Sequence, residues 1–261
     1  AAPPVRLLPA LLPAETLPGP DSARPKRIPI GIDEATLSPV LLDFEADPHF
    51  IVVGDTESGK SNLLKLIAEG LVARQTPREA MMIVIDYRRA LLDTAATDHR
   101  IGYAASSTAA AELINNARGA LLKRLPPADL TPEQLRTRSW WQGSDLYIVV
   151  DDYDLVAGTT NPLLPLADLL PQARDIGLHL VMARQMGGVS RAMFDPVITK
   201  IKDLASPAVI LSGNKDEGYL FGNVRPHPLP PGRGYFVDRR SGSRLTQTAF
   251  VQPAAPPGEG G

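Results

Sequence analysis

The sequence predicts an α/β fold, a mostly parallel sheet with helices on both faces, and three observations carry that expectation. Short apolar runs alternate with stretches of helical period along most of the chain. Several runs are continuously apolar and end in a polar residue, the pattern of buried parallel strands whose ends reach the ligand edge of a sheet. One of them, Phe50-Ile51-Val52-Val53, leads straight into Gly54-Asp55-Thr56-Glu57-Ser58-Gly59-Lys60-Ser61, which reads G-x-x-x-x-G-K-S and opens a helix.

Residues 1–27 are rich in Pro and end in Arg24-Pro25-Lys26-Arg27, which predicts an extended linker. Leu7, Leu8, Leu11 and Leu12 make it apolar enough to lie against a neighbouring domain. The runs at 28–32 and 40–44 predict two short strands joined by a turn, ahead of the strand at 50–53. A helix follows over 60–74, with Leu63, Leu64, Ile67 and Leu71 at helical spacing. Residues 81–87 give an apolar strand running out at Asp86, and 108–124 a second helix. Thr131-Pro132-Glu133-Gln134 marks a helix start with Pro at its first position, running to Trp140-Trp141. That tryptophan pair reads as core or linker packing, with a partner surface as the lesser alternative.

A strand over 146–150 then ends in Asp151-Asp152, and helical residues over 162–176 are interrupted at Pro165 and Pro171. The remaining elements are a strand over 178–185, a helix over 190–204, a strand over 208–212 and a hairpin from 234–238 and 244–250. The expected organisation is a linker at 1–27, one domain over 28–251 and a disordered tail at 252–261.

Composition narrows the function. At 261 residues the chain can bury a full core as one α/β domain with appendages. A net charge of −2 gives no general attraction to a polyanion, which disfavours nucleic acid. The absence of cysteine removes disulfides, thiolate metal sites and thiol nucleophiles together. No apolar run approaches the roughly 20 residues needed to span a bilayer. Because the first residue is not Met, the chain is expected to be cut from a longer polypeptide.

The G-x-x-x-x-G-K-S stretch is a phosphate-binding loop, and its chemistry follows from geometry. Gly54 and Gly59 allow backbone conformations closed to residues with a Cβ, so the amides of Asp55, Thr56, Glu57, Ser58 and the residues up to Asn62 turn inward around an anion. The helix adds its unpaired N-terminal amides and the positive end of its dipole. Lys60 is expected to reach the β- and γ-phosphates of ATP and the Ser61 hydroxyl to take one position on Mg²⁺. Glu57 would repel phosphate unless it turns outward, so it is read as solvent-facing.

Four apolar residues followed by Asp151-Asp152 fit the second motif of such a site. Asp151 is expected to hold Mg²⁺ and Asp152 to orient the attacking water. Many ATPases have Glu at the second position. Asp falls short by roughly 1 to 1.5 Å, a misplacement that can cost on the order of a hundredfold in rate. Binding should survive while turnover becomes slow. Gln185 lies where such folds place a γ-phosphate sensor, with a solvated loop glutamine as the equal alternative. Arg184 and Arg191 are weaker candidates for an arginine finger serving a neighbour, and Asp86 either joins the magnesium shell or orients its loop. His99, His179 and His227 show no metal-ligand spacing.

With these residues in hand, the chain resembles the FtsK/SpoIIIE class of P-loop ATPases, and more narrowly the ATPase domains of the EccC proteins of type VII (ESX) secretion. The resemblance rests on Ile30-Gly31-Ile32-Asp33-Glu34, Asp47-Pro48-His49, the phosphate loop, Asp86-Tyr87-Arg88-Arg89, Asp151-Asp152 and Ser190-Arg191-Ala192. It continues through Leu211-Ser212-Gly213-Asn214-Lys215, Val224-Arg225-Pro226 and Pro230-Pro231-Gly232-Arg233-Gly234. It implies a RecA-like P-loop NTPase core that is the last ATPase domain of its chain, with a degenerate, slowly hydrolysing or inactive site. The implied partners are the other ATPase domains of the same chain, a hexamer in the full-length assembly, and a secreted helical-hairpin dimer held by its C-terminal signal. The implied location is cytoplasmic, tethered to the inner membrane through the rest of the complex, and the implied adenine contact is the loop 216–222. An actively hydrolysing module of a hexameric translocase is the second reading. A DNA translocase is the third, and nothing in the chain supplies the basic pore it would need.

Overall fold

The computed structural model describes residues 7–253. The tail expected at 252–261 therefore lies, from 254 onward, outside the described residues, as do linker residues 1–6. Ten strands form one sheet: β1 (Arg27–Asp33), β2 (Pro39–Asp43), β3 (Phe50–Gly54), β4 (Ala80–Ile85), β5 (Arg100–Ala104), β6 (Asp145–Val150), β7 (Leu178–Gln185), β8 (Ala208–Ile210), β9 (Arg233–Asp238) and β10 (Gly242–Thr248). Their order is β2-β1-β10-β9-β8-β3-β7-β6-β4-β5. From β8 to β5 every pair is parallel, and from β8 back to β2 every pair is antiparallel. The fold is the expected mostly parallel α/β sheet, extended by antiparallel strands on one side.

Apolar alternation on β3 shows how the sheet is covered. Ile51 and Val53 belong to one buried cluster and Phe50 and Val52 to the other, so both faces carry a core. The first face is covered by α2 (Ser107–Leu122), α5 (Ala173–Ile176) and α7 (Pro196–Asp203), the second by α1 (Lys60–Arg74). Ile114 and Leu121 of α2 and Leu63, Leu64, Ile67 and Leu71 of α1 are the buried ridges.

Three expectations change. The helix expected over 190–204 is two, α6 (Val189–Ala192) and α7, because Asp195 caps the second by accepting from the Val197 and Ile198 amides and Pro196 occupies its first position. The helix from Thr131 is α3 (Pro132–Thr137), closed at its start by a full capping box and at its end by Arg138 at φ 53°, so it stops short of the tryptophans. Trp140 and Trp141 instead donate their indole N–H groups to Arg124 O and Asp175 O, each at 2.7 Å, and the Arg124 guanidinium lies 4.3 Å over Trp141. Strand β5 was not anticipated.

The segment from Leu7 to Lys26 lies along this domain. Leu8 and Leu12 are buried, and Phe250 exchanges backbone bonds with Leu12 O and Ala14 N–H. At its end Lys26 meets Asp145 at 2.7 Å, where His179, stacked 4.2 Å from Tyr147, also bonds the Asp145 carboxylate.

Candidate nucleotide site

Strand β3 ends at Gly54 beside Gln185 of β7, and β6 pairs with the far side of β7, so the loop 54–61 hangs over the carboxyl edge of the sheet. Strand β3 is central and its chain neighbours β2 and β4 lie elsewhere in the sheet, on opposite sides of it, the place where such folds open a crevice. Two glycines permit the loop. At Gly54 a Cβ would run into Ser58 Oγ and come within 2.8 Å of Leu211 Cβ. At Gly59 the backbone is left-handed, with φ +107°. Glu57 is exposed with φ 60°, which leaves its carboxylate in solvent as expected.

The loop is buttressed from outside: Asp55 N–H donates to Ser212 O at 2.8 Å, and Gly232 N–H donates to Ser58 O at 2.9 Å. The amides of Gly59, Lys60, Ser61 and Asn62, at the start of the 15-residue α1, have no protein acceptor among the described residues. Such unpaired amides at the positive end of a helix attract anions. Lys60 Nζ donates to Asp55 O at 2.7 Å and to Gln185 Oε1 at 3.2 Å, and Gln185 Nε2 donates to Thr56 Oγ1 at 3.0 Å. Burial lowers the Lys60 pKa, and the carboxylates of Asp152, Asp151, Asp154 and Asp55 oppose that shift.

Behind the loop, Ser61 Oγ donates to Asp151 Oδ2 at 2.6 Å. Burial pushes the Asp151 carboxyl up to about 6; the Ser61 bond opposes this, and the charges of Asp152 and Asp86 add to it. A buried carboxylate in this state gains most from a divalent cation. Asp152 follows with φ 45° at the cap of α4 (Tyr153–Val156), its own N–H donating to Asp151 Oδ1 at 2.9 Å. Its carboxylate pairs with Arg88 Nε at 3.2 Å. A cleft of about 330 Å³ opens over these groups, walled by Thr56, Lys60, Ser61, Arg88, Asp152 and Gln185.

The structure therefore brings together Lys60, Ser61, Asp151, Asp152 and Gln185, but the amides of Asp55 and Ser58 do not turn toward an anion as expected, because they donate to Ser212 O at 2.8 Å and Asp55 O at 3.3 Å. Asn62 is divided: the residue borders the cleft, while its side chain donates to Ala249 O at 2.8 Å and accepts from Val251 N–H at 2.9 Å. Ser58 is buried beneath the loop. Asp86 orients its loop, accepting from Leu91 N–H at 2.7 Å and the Tyr103 hydroxyl at 2.9 Å. Arg184 is no finger for a neighbour, since it is buried and spent on the carbonyls of Gln185, Gly187 and Gly188. Arg191 is exposed. The loop 216–222 packs through Glu217 on Gly188 and Ser190 and does not line the cleft. Arg88 is the residue that reasoning from the sequence passed over, although Asp86-Tyr87-Arg88-Arg89 stood at the exit of a strand.

The donor set fits a nucleotide triphosphate and its magnesium. Unpaired amides and Lys60 face the place where phosphates would lie, and the Ser61–Asp151 pair offers two oxygens suited to a hard cation.

Residues 18–123 match the model of the FtsK/SpoIIIE family. Over 249 residues, 95% of this chain and 19% of the relative, the chain is 64% identical to the ESX secretion system protein EccC of Thermomonospora curvata. It is 42% identical to the ESX-4 secretion system protein EccC4 of Mycobacterium tuberculosis, covering 97% of this chain and 21% of that protein. A solved structure of Thermomonospora curvata EccC, ATPases 2 and 3 in complex with a signal sequence peptide, superposes with a TM-score of 0.93 at 64% identity, covering 97% of this chain and 45% of that one. The chain thus spans about a fifth of the length of these two curated relatives. It matches the FtsK/SpoIIIE family model over residues 18–123 and is similar to the EccC proteins of ESX secretion systems.

Proposed function

We propose that this chain is an ATP-binding domain of a type VII secretion motor, one that holds Mg·ATP with slow or no hydrolysis. The observation that carries the reading is the Ser61–Asp151 contact of 2.6 Å beside Lys60, with the second acid a short Asp152 already paired to Arg88. The loop amides and Lys60 bind the phosphates, and Ser61 and Asp151 hold the cation, whose charge offsets that of the phosphates. Asp152 is left to orient water from one methylene too far back. Bound nucleotide then acts chiefly as a clamp, since a ligand at a hundred times its dissociation constant stabilises a fold by roughly 2.7 kcal/mol.

Recognition of a secreted substrate's C-terminal signal, and assembly with further ATPase domains of the same chain, complete the proposal. The signal-peptide complex of a 64% identical relative supports the first. Calorimetric titration with Mg·ATP, followed by single-turnover hydrolysis with and without the C-terminal peptide of a candidate cargo, tests both. Binding with negligible turnover is expected. Absence of binding, or steady turnover abolished by Asp152→Ala, would refute the reading.

A further inference from the structure

We propose that Arg88 makes the site prefer a nucleoside triphosphate over a diphosphate, by exchanging its partner Asp152 for the terminal phosphate. The inference rests on the nucleotide reading above and adds a specificity-determining residue to it.

Placement comes first. Strands β4 and β6 pair in parallel with Ile85 opposite Val150, so the chain leaves the sheet side by side at Asp86-Tyr87-Arg88 and at Asp151-Asp152. The turn that presents Arg88 is held firmly: the Asp86 carboxylate accepts from Leu91 N–H and the Tyr103 hydroxyl, Arg89 N–H donates to Asp86 O at 3.3 Å, and the Leu91 side chain is buried. The guanidinium itself is free to move, with the side chain 66% exposed and Asp152 its one ion-pair partner among the described residues. A fixed base with a loosely held head is what partner exchange requires.

Charge then decides the direction. Lys60 and Arg88 are the only cations among the described residues that line the cleft; Lys60 is tied to the loop through the Asp55 carbonyl and Gln185 and serves the phosphates there, while Arg88 is not tied to the loop. Exposed ion pairs between side chains hold weakly. A terminal phosphate carries more charge than a carboxylate and accepts two parallel N–H bonds from a planar guanidinium. Exposure rises outward from Asp151 through Asp152 to Arg88, so Arg88 stands outermost of the three. A diphosphate lacks the γ-phosphate and leaves the Arg88–Asp152 pair closed. On exchange, Asp152 loses its countercharge but stays one methylene short of the water it would orient.

The test compares dissociation constants of the unmodified chain, Arg88→Gln and Arg88→Lys for Mg·ADP and for a non-hydrolysable Mg·ATP analogue, with melting curves as a check on folding. Arg88→Gln should weaken the triphosphate analogue by about 10- to 100-fold, the range of a lost charge-assisted bond, and leave ADP within about twofold. Arg88→Lys should recover part of the loss. An equal fall for both nucleotides, or no fall for either, overturns the role of Arg88 while leaving the nucleotide site standing. Failure of the unmodified chain to bind either nucleotide removes both readings at once.

Discussion

Replacing Asp151 by Asn should stabilise the nucleotide-free protein at neutral pH and abolish its hold on Mg·ATP. Burial raises this carboxyl from the ordinary 3.8 to about 6, against the Ser61 hydrogen bond and with help from Asp152 and Asp86. That is about two decades of proton affinity at about 1.4 kcal/mol per decade, so ionising the group in the folded chain costs on the order of 3 kcal/mol. Between pH 4 and pH 6 the folded chain holds this proton and the unfolded chain does not. Stability therefore falls as pH rises through that window, and Asp151 makes no further change above it. The amide keeps an acceptor for Ser61 but turns an NH₂ toward the Asp152 N–H that Asp151 Oδ1 accepts, returning about 1 kcal/mol. The net gain near pH 7.5 is on the order of 2 kcal/mol, or roughly 4 to 8 °C for a chain of this size. At pH 4.5 most of the advantage should vanish.

Asp145 does not confuse the measurement. Burial opposes its ionisation, but the His179 hydrogen bond and charge and the Lys26 ammonium outweigh burial and hold it well below the usual carboxylate range. Its contribution is present above the ordinary aspartate value and is lost only as pH falls below about 4. Urea unfolding at pH 4.5, 6.0 and 7.5 for both proteins, without nucleotide, reads the difference directly. Parallel pH dependences for parent and variant would show that burial does not raise the Asp151 carboxyl.

Lys60→Ala should leave the melting temperature of the free chain little changed and remove the upward shift produced by Mg·ATP; a persisting shift would place the nucleotide elsewhere. Asn62→Ala removes two long-range hydrogen bonds, to Ala249 and Val251, and should cost about 1 to 3 kcal/mol in urea. Because Phe250 carries Leu12 and Ala14, the same variant should expose the segment 7–17 to limited proteolysis, and an unchanged cleavage pattern would count against that linkage. Gly54→Ala must displace Ser58 or Leu211, at about 1 to 3 kcal/mol, and should weaken nucleotide binding as the loop shifts; calorimetry on the folded variant checks it.

What could be read from the sequence was what the chain builds from its near neighbours, and what could not was the choice of partners across the sheet. The phosphate loop is strand, turn and helix within one short stretch, so its glycines, Lys60 and Ser61 announce themselves without knowledge of the rest. Asp151 was legible because an apolar run ending in two acids has few other uses beside such a loop. Strand β5 was not: it sits at the sheet edge with Ile101 exposed and Gly102 at its centre, so it shows no continuous apolar run. Its place is set by pairing with β4 and by packing against α2. The same holds for two side chains near the site. Asn62 looks like one more loop residue until β10 is seen to end over α1, bringing Ala249 within reach across 187 residues. Arg88 looks like a surface arginine until β4 and β6, separated in sequence by β5, α2 and α3, prove to be neighbours. In both cases the function of a side chain follows from strand order, which local periodicity does not encode.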